Sequence, residues 1–361
     1  MRGELADFVA GLDQLVSFLE RTEREHELVG LLNSRREELP AQEASLLQQL
    51  VKHATHTKQY VYAVGIVSLY GLLERLVDGL VVSFVNHLGG FANRYEALPD
   101  VLRKAHLEQS LALVGALLKD RFRTETTHER VVANLHSCLS SGEGRFTLNG
   151  HAFALHRGNL NLGRIAEMLR GVGVQHHSFR IVCSSTFQDH LAMRGAGRDW
   201  TALPDAEVAA LLKPIDDLVL RRNDVSHGAM KADQLESVAL LTERCAFVRA
   251  FGVGLYEVMR QDAMKHAAEL GAARVLGVPL KVFNNRIVCF KAAGPIGIGD
   301  FLFAVTGDAK EPVRYGQVKR LEIDRVAQQR IESDVPLCFG VEVGFRANEG
   351  HSYYMLTEDR L

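Results

Sequence analysis

From about Lys58 to His87 the chain reads as one long helix whose first half, Tyr60 to Leu73, is apolar on nearly every side. A helix without a polar face is stable only when other elements surround it, so this stretch dictates a helical bundle built around itself. Glu74, Arg75 and Asp78 interrupt the apolar run before it reaches a membrane-spanning length. The expectation is therefore a buried helix and not a membrane anchor. Glu74 matters most among the three, because a carboxylate on so apolar a helix needs a partner, either in a neighbouring helix or in a site. Gly89-Gly90 is expected to end the helix.

The elements around it are also helical. Leu5, Phe8, Leu12, Leu15 and Leu19 recur at helical spacing, with a second helix around Glu25–Arg36 and a break at Pro40. Another helix begins at Leu46, where His53 and His56 read as surface histidines for want of a carboxylate at metal spacing. A helix follows Pro99 to Lys119 or beyond, and 126–139 forms the next. Residues 145–153 predict a short hairpin around Asn149-Gly150. Arg164–Leu169 is a short helix, 176–197 reads as irregular, and a last long helix runs from about Ala232 to Leu270.

The net charge of −2 provides no global basic field for nucleic acid, so any RNA must be held by local patches. Arg121 and Arg123, in the basic-aromatic segment Lys119–Arg123, are one candidate patch for a phosphate backbone, and a solvated helix end is the alternative. Five scattered cysteines without a Cys-x-x-Cys pair argue against a disulfide framework or zinc site and fit a reducing cytoplasm. Glu4, Asp7 and Asp13 speak against a secretory leader. Nowhere do carboxylates, histidines or cysteines cluster at metal spacing, and no cofactor is expected.

The chemistry concentrates near residue 222. Val208, Leu211, Leu212, Ile215, Leu218 and Val219 mark one buried helix face, interrupted at Pro214 by a kink or a fresh start, with Asp205 as its expected cap. At its tail stand Arg221, Arg222, Asn223, Ser226 and His227, ahead of Gly228, where a left-handed cap is common. Asn223 and His227 share a face, whereas Arg222 lies about 140° round from His227. Arg222 and His227 meet on one phosphate only if the helix end loosens or if two such helices come together. A histidine that titrates near neutrality and a guanidinium that offsets phosphate charge are the parts phosphodiester transfer needs. A surface Arg-Asn-Asp cluster on a helix that ends in His-Gly is the plain alternative.

Arg222-Asn223 followed by Val225-Ser226-His227-Gly228, after an apolar helix, resembles the signature of the HEPN superfamily of ribonucleases. Val64 to Glu74 is similar to the first core helix of the RiboL-PSP branch, and Leu155-His156-Arg157-Gly158-Asn159-Leu160 with 165–169 and Gly173 to its linking segment. The resemblance covers about residues 55–260. It implies a metal-independent endoribonuclease with Arg222, His227, Asn223 and Glu74 as catalytic residues, and Arg221 and Ser226 beside them on RNA. It further implies an RNA substrate (tRNA, rRNA or mRNA), a homodimer through the signature helix, and a toxin or antiviral defence role with an antitoxin or sensor partner. A non-catalytic RNA- or ribosome-binding module on a HEPN dimer scaffold is the alternative, and a protein-interaction scaffold is a third.

From Ala273 onward glycines and β-branched residues take over, with turns at Asn284-Asn285 and Gly307-Asp308. Ile298-Gly299-Asp300, Gln317-Val318-Lys319 and Cys338–Val343 resemble the small β-barrel that is the second domain of translational GTPases. A phosphate-binding Gly-x-x-x-x-Gly-Lys-Ser/Thr loop is missing from the sequence, so recognition is expected of it and GTP hydrolysis is not. The expected fold is α+β: a mainly helical HEPN-like bundle over residues 1–270, then a five- or six-stranded β-barrel over 271–361.

Overall fold

A computed structural model describes residues 1–117, 126–140, 145–156, 158–193, 203–229, 235–306 and 313–357, without the side chain of residue 55. The architecture is α+β, a helical bundle followed by a curled antiparallel sheet.

Three long helices make the centre of the bundle: α1 (Arg2–Ser34), α2 (Ala41–Phe91) and α11 (Val238–Glu269). Phe8, Leu12 and Leu19 of α1 are buried with Leu73, Leu76 and Leu80 of α2 and with Phe251 and Leu255 of α11. Gly252 shows how close the three approach: a Cβ there would lie 2.5 Å from the Phe8 ring and 2.7 Å from Leu76. The remaining helices are α3 (Asp100–Ala116), α4 (His128–Leu139), α5 (Gly150–Phe153), α6 (Leu162–Gly171), α7 (His177–Val182), α8 (Ser185–Met193), α9 (Asp205–Leu212) and α10 (Pro214–Ser226).

Several local expectations give way to tertiary context. The two N-terminal helices are one, α1, and α2 continues through Gly89-Gly90 to Phe91 because Leu88 and Phe91 are both buried in the core. The Asn149-Gly150 hairpin does not form. Buried Asn149 instead donates its amide to Ser110 and to the Val131 carbonyl, while its backbone N–H donates to His106 Nε2 at 3.0 Å, pinning the segment into the core. The stretch expected to be irregular contains α7 and α8, held by Arg180, which reaches Asp262 of α11 at 2.7 Å. Asp205 lies in the first turn of α9 but makes no capping bond. Pro214 is a fresh start, the first residue of α10. The early part of α2 is not enclosed on every side, since Tyr60 is 74 % exposed and Val64 and Val67 are open too, one stripe at spacings of four and three. No helix among the described residues is long and apolar enough to cross a membrane.

The sheet consists of β1 (Arg274–Gly277), β2 (Lys281–Phe283), β3 (Ile287–Ala292), β4 (Ile296–Gly297), β5 (Phe301–Val305), β6 (Arg314–Ile323), β7 (Val326–Gln328), β8 (Arg330–Ile331), β9 (Leu337–Val343) and β10 (Ser352–Leu356). The main sheet runs β1-β10-β5-β6-β9-β3-β2, with β7 on β6; β4 and β8 pair separately. The ten-residue β6 pairs with β5 at its start and with β9 and β7 at its end, with a register shift between Val318 and Arg320, so it carries the sheet round the corner. Strands β1 and β2, at the ends of the order, do not pair, so the expected small β-barrel takes the form of a curled half-barrel. Asn284 and Asn285 have φ of 50° and 53°, the turn expected between β2 and β3. The Gly307-Asp308 turn lies outside the described residues.

Strands β5 and β10 are buried on both faces. Leu302, Ala304, Tyr353 and Met355 point into the sheet's own core, and Phe301, Phe303 and Leu356 join the core of the helices. Arg260 of α11 seals that junction, its guanidinium 4.4 Å from the Phe301 ring centroid and 5.0 Å from that of Tyr315.

Candidate active site

The signature residues lie on α10, which starts with Pro214 and carries Asp216 and Asp217 in its first turn, where carboxylates favour the helix dipole. Ile215, Leu218 and Val219 bury its inner face. The helix closes in a Schellman motif: Gly228 (φ 66°) donates to the Val225 carbonyl and Ala229 to that of Asp224. This closure settles the first of the two routes by which Arg222 and His227 could meet. The chain stays helical through Ser226, so the two side chains keep their separation of about 140° and the end does not loosen.

Arg222 points inward. Its Nη1 donates to Asn159 Oδ1 at 2.9 Å and to Asn223 Oδ1 at 3.3 Å, and Asn159 Nδ2 donates to Asn223 Oδ1 at 2.7 Å. The guanidinium also lies over the ring of Tyr70, 5.0 Å from its centroid. The Tyr70 hydroxyl donates to Glu74 Oε1 at 2.9 Å and accepts the N–H of Leu160 at 2.8 Å; burial pushes this phenol up to about 12. Glu74 thus reaches Arg222 through Tyr70, from one turn further along α2.

Glu74 and Arg222 line a cleft of about 780 Å³ together with Asp78, His156 and Asn159. His156 Nε2 stands 3.4 Å from Asp78 and 3.9 Å from Glu74 Oε1, while Nδ1 faces the Gly158 carbonyl at 3.0 Å. The hydrogen bond to Asp78 holds this imidazole above its ordinary value against the cost of burial.

His227 is exposed on the last turn and does not line the cleft. Asn223 is turned to Asn159 and Arg222, and no hydrogen bond joins it to the His227 ring among the described residues. Ser226, the last residue of α10, is exposed. Arg221 is engaged elsewhere: it bonds Asp217 at 2.9 Å, the Tyr62 hydroxyl at 2.9 Å and Glu236 at 3.1 Å. Arg244 of α11 reaches the same two carboxylates, so this network ties α10 to its neighbours. Arg121 and Arg123 lie outside the described residues.

The structure therefore joins Arg222, Asn223 and Glu74 in one cluster and leaves His227 apart from it. Tyr70, His156 and Asn159 fall in the segments that carry the family resemblance, but sequence reasoning gave no catalytic role to them or to Asp78. Tyr70 and Asp78 stand one helical turn on either side of Glu74, a spacing that could have flagged both. His156 and Asn159 come from a connection whose path only the fold defines. Among the described residues, no three His, Cys, Asp or Glu side chains converge as a metal cage. A family model described as RiboL-PSP-HEPN matches residues 31–259, a span that includes every one of these residues. No curated protein matches the chain.

Proposed function

The chain belongs to the RiboL-PSP-HEPN family, and on that premise we propose that it is a metal-independent endoribonuclease whose site is completed by a second copy of itself. The observation that carries the proposal is the contrast between Arg222 and His227. Arg222 is fixed in a cleft by Asn159, Asn223 and Tyr70, while His227, the C-cap residue of the same helix, faces solvent. Pairing two α10 helices about a two-fold axis brings His227 of one chain toward Arg222 of the other. Exposed Leu220 on α10 and the open Tyr60, Val64 and Val67 stripe on α2, against which α10 packs, supply apolar surface for that pairing.

The nucleophile in this mechanism is the ribose 2′-hydroxyl of the substrate. His227 takes its proton or gives one to the leaving 5′-oxygen, and Arg222 stabilises the charge that grows on the phosphoryl oxygens. A bond forms between the 2′-oxygen and phosphorus as the bond to the 5′-oxygen breaks, leaving a 2′,3′-cyclic phosphate and a 5′-hydroxyl. Asn159 and Asn223 hold the guanidinium at its post. The half-barrel is assigned to target selection, a role suggested by the sequence resemblance noted above. A toxin or antiviral role, with an antitoxin or sensor as partner and tRNA, rRNA or mRNA as target, fits this chemistry.

Incubating the purified protein with total RNA in chelator and mapping the ends tests the proposal. Cyclic phosphate ends, with DNA left intact, are expected. Loss of activity in EDTA, 5′-phosphate ends, cutting of a DNA copy, or RNA bound but never cut would each overturn it.

A further inference from the structure

The cleft that Arg222 fronts is rich in acid, with Glu4, Glu74 and Asp78 in its walls beside Arg75, His151 and His156. An RNA phosphate enters such a wall only if the carboxylates are offset. His156 stands among them, its side chain only 10 % exposed. Both of its ring nitrogens face oxygen: Nδ1 the Gly158 carbonyl at 3.0 Å, Nε2 the Asp78 carboxylate at 3.4 Å with Glu74 Oε1 at 3.9 Å. A neutral imidazole has one N–H and one lone pair, so either tautomer would set a lone pair against an oxygen. Only the imidazolium satisfies both sides. Asp78 Oδ1 adds to the demand, since it is shut off from solvent with no hydrogen-bond donor among the described residues and lies 3.4 Å from Nε2.

Glu74 is shared between two partners. The same Oε1 that faces His156 accepts the Tyr70 hydroxyl, and Tyr70 carries Arg222 over its ring. A cation at His156 therefore bears on the Arg222 guanidinium through Glu74 and Tyr70.

We propose that His156 is the positioning cation of the cleft: as imidazolium it offsets Glu74 and Asp78, keeps Glu74 on the Tyr70 hydroxyl, and leaves the Arg222 guanidinium to an RNA phosphate. Among the described residues, the charged groups that line the cleft with it are Glu74, Arg75 and Asp78 on α2, Glu4 on α1, His151 on α5 and Arg222 on α10. The hydrogen bond to Asp78 raises the imidazole's proton affinity, so the cation persists to higher pH than on a free histidine and is lost as pH climbs further. The proposal rests on the ribonuclease reading for the identity of the anion.

The test uses the full chain and a short 2′-O-methylated oligouridine, which can bind but cannot be cut. Wild-type affinity should fall as pH rises above neutrality. His156→Gln should bind on the order of tenfold more weakly near neutrality, the scale of one nearby unit charge, and lose that pH dependence. Asp78→Asn added to His156→Gln removes the acid that needed offsetting and should return binding to near the wild-type level, independent of pH. If His156→Gln alone does not fold, this double variant carries the test by itself. Side-chain NMR should find His156 protonated at neutral pH in the wild type. A neutral His156 there, or a His156→Gln protein that binds the probe with wild-type affinity and pH profile, overturns the proposal alone. A wild-type protein that holds a charged His156 yet neither binds the probe nor cuts RNA overturns the ribonuclease reading and the proposal together.

Discussion

The guanidinium of Arg222 rests over the ring of Tyr70, 5.0 Å from its centroid, and the hydroxyl of that ring donates to Glu74. Arg222 and Glu74 are thus joined through a phenol and not by a direct ion pair. A direct pair would spend the positive charge of Arg222 on a carboxylate. With Tyr70 between them the charge stays available to a phosphate, while Glu74 still fixes the ring that carries it.

Tyr70→Phe separates the two functions of that phenol. The ring stays under Arg222, but the N–H of Leu160 loses the acceptor it meets at 2.8 Å, and Leu160 is buried. Urea unfolding should show a loss of about 1–3 kcal/mol, the cost of a stranded buried donor. An unchanged midpoint would mean that a water takes the place of the hydroxyl.

Complementation between variants reports on the composite site. Arg222→Ala and His227→Ala should each lower cleavage on the order of 10²-fold or more. Mixing the two inactive proteins under conditions of subunit exchange should restore cleavage, since a mixed dimer holds one intact Arg222 opposite one intact His227. A mixture no more active than its components, from chains shown by light scattering to exchange, would place Arg222 and His227 in separate roles.

Acid should weaken the fold through His106. This residue is fully buried, accepts the backbone N–H of Asn149 and stacks on Phe153; burial pushes its pKa down from 6.5 to about 4. The unfolded chain takes up a proton near pH 6.5 that the folded chain refuses until about 4. The stability it contributes is present above 6.5 and is lost as pH falls toward 4, by about 1.4 kcal/mol for each unit of difference. Urea melts across that window should show the decline, and His106→Gln should flatten it. A slope unaltered in His106→Gln would assign the acid sensitivity to another group.

Deleting the half-barrel from residue 273 onward should unsettle the helices. Phe301, Phe303 and Leu356 belong to the helical core, and Phe301 and Tyr315 cover Arg260. Removing three such side chains forfeits about 1.5–3 kcal/mol each, and a loss of that order lowers the melting temperature on the order of 10 °C or more. Calorimetry of the truncated chain measures the shift. A truncated protein that melts with the full chain would show that the helices stand independently.

The sequence by itself determined the α+β class, the long central helix within α2, an interruption at Pro214 that the structure makes a fresh helix start, the left-handed Gly228 and the Asn284-Asn285 turn. Each is written in the covalent character or spacing of nearby residues: a ring that fixes φ, a missing Cβ, a period of 3.6 or 2. Tertiary structure alone decided the rest. Asn149-Gly150 has the chemistry of a hairpin turn, yet the buried bonds of Asn149 to Ser110, Val131 and His106 outweigh that local preference. Likewise, the face of α2 that carries Tyr60, Val64 and Val67 looks like core in sequence but lies open, because which side of an apolar helix is covered depends on where its neighbours dock. The cleft follows the same logic. Arg222 and His227 were legible as a pair of residue types, but the bonds from Arg222 to Asn159, 63 residues away, and from His156 to Asp78, 78 residues away, come only from the folding of a connection back onto α2. Local chemistry chooses the elements; which distant side chains meet is chosen by how those elements pack.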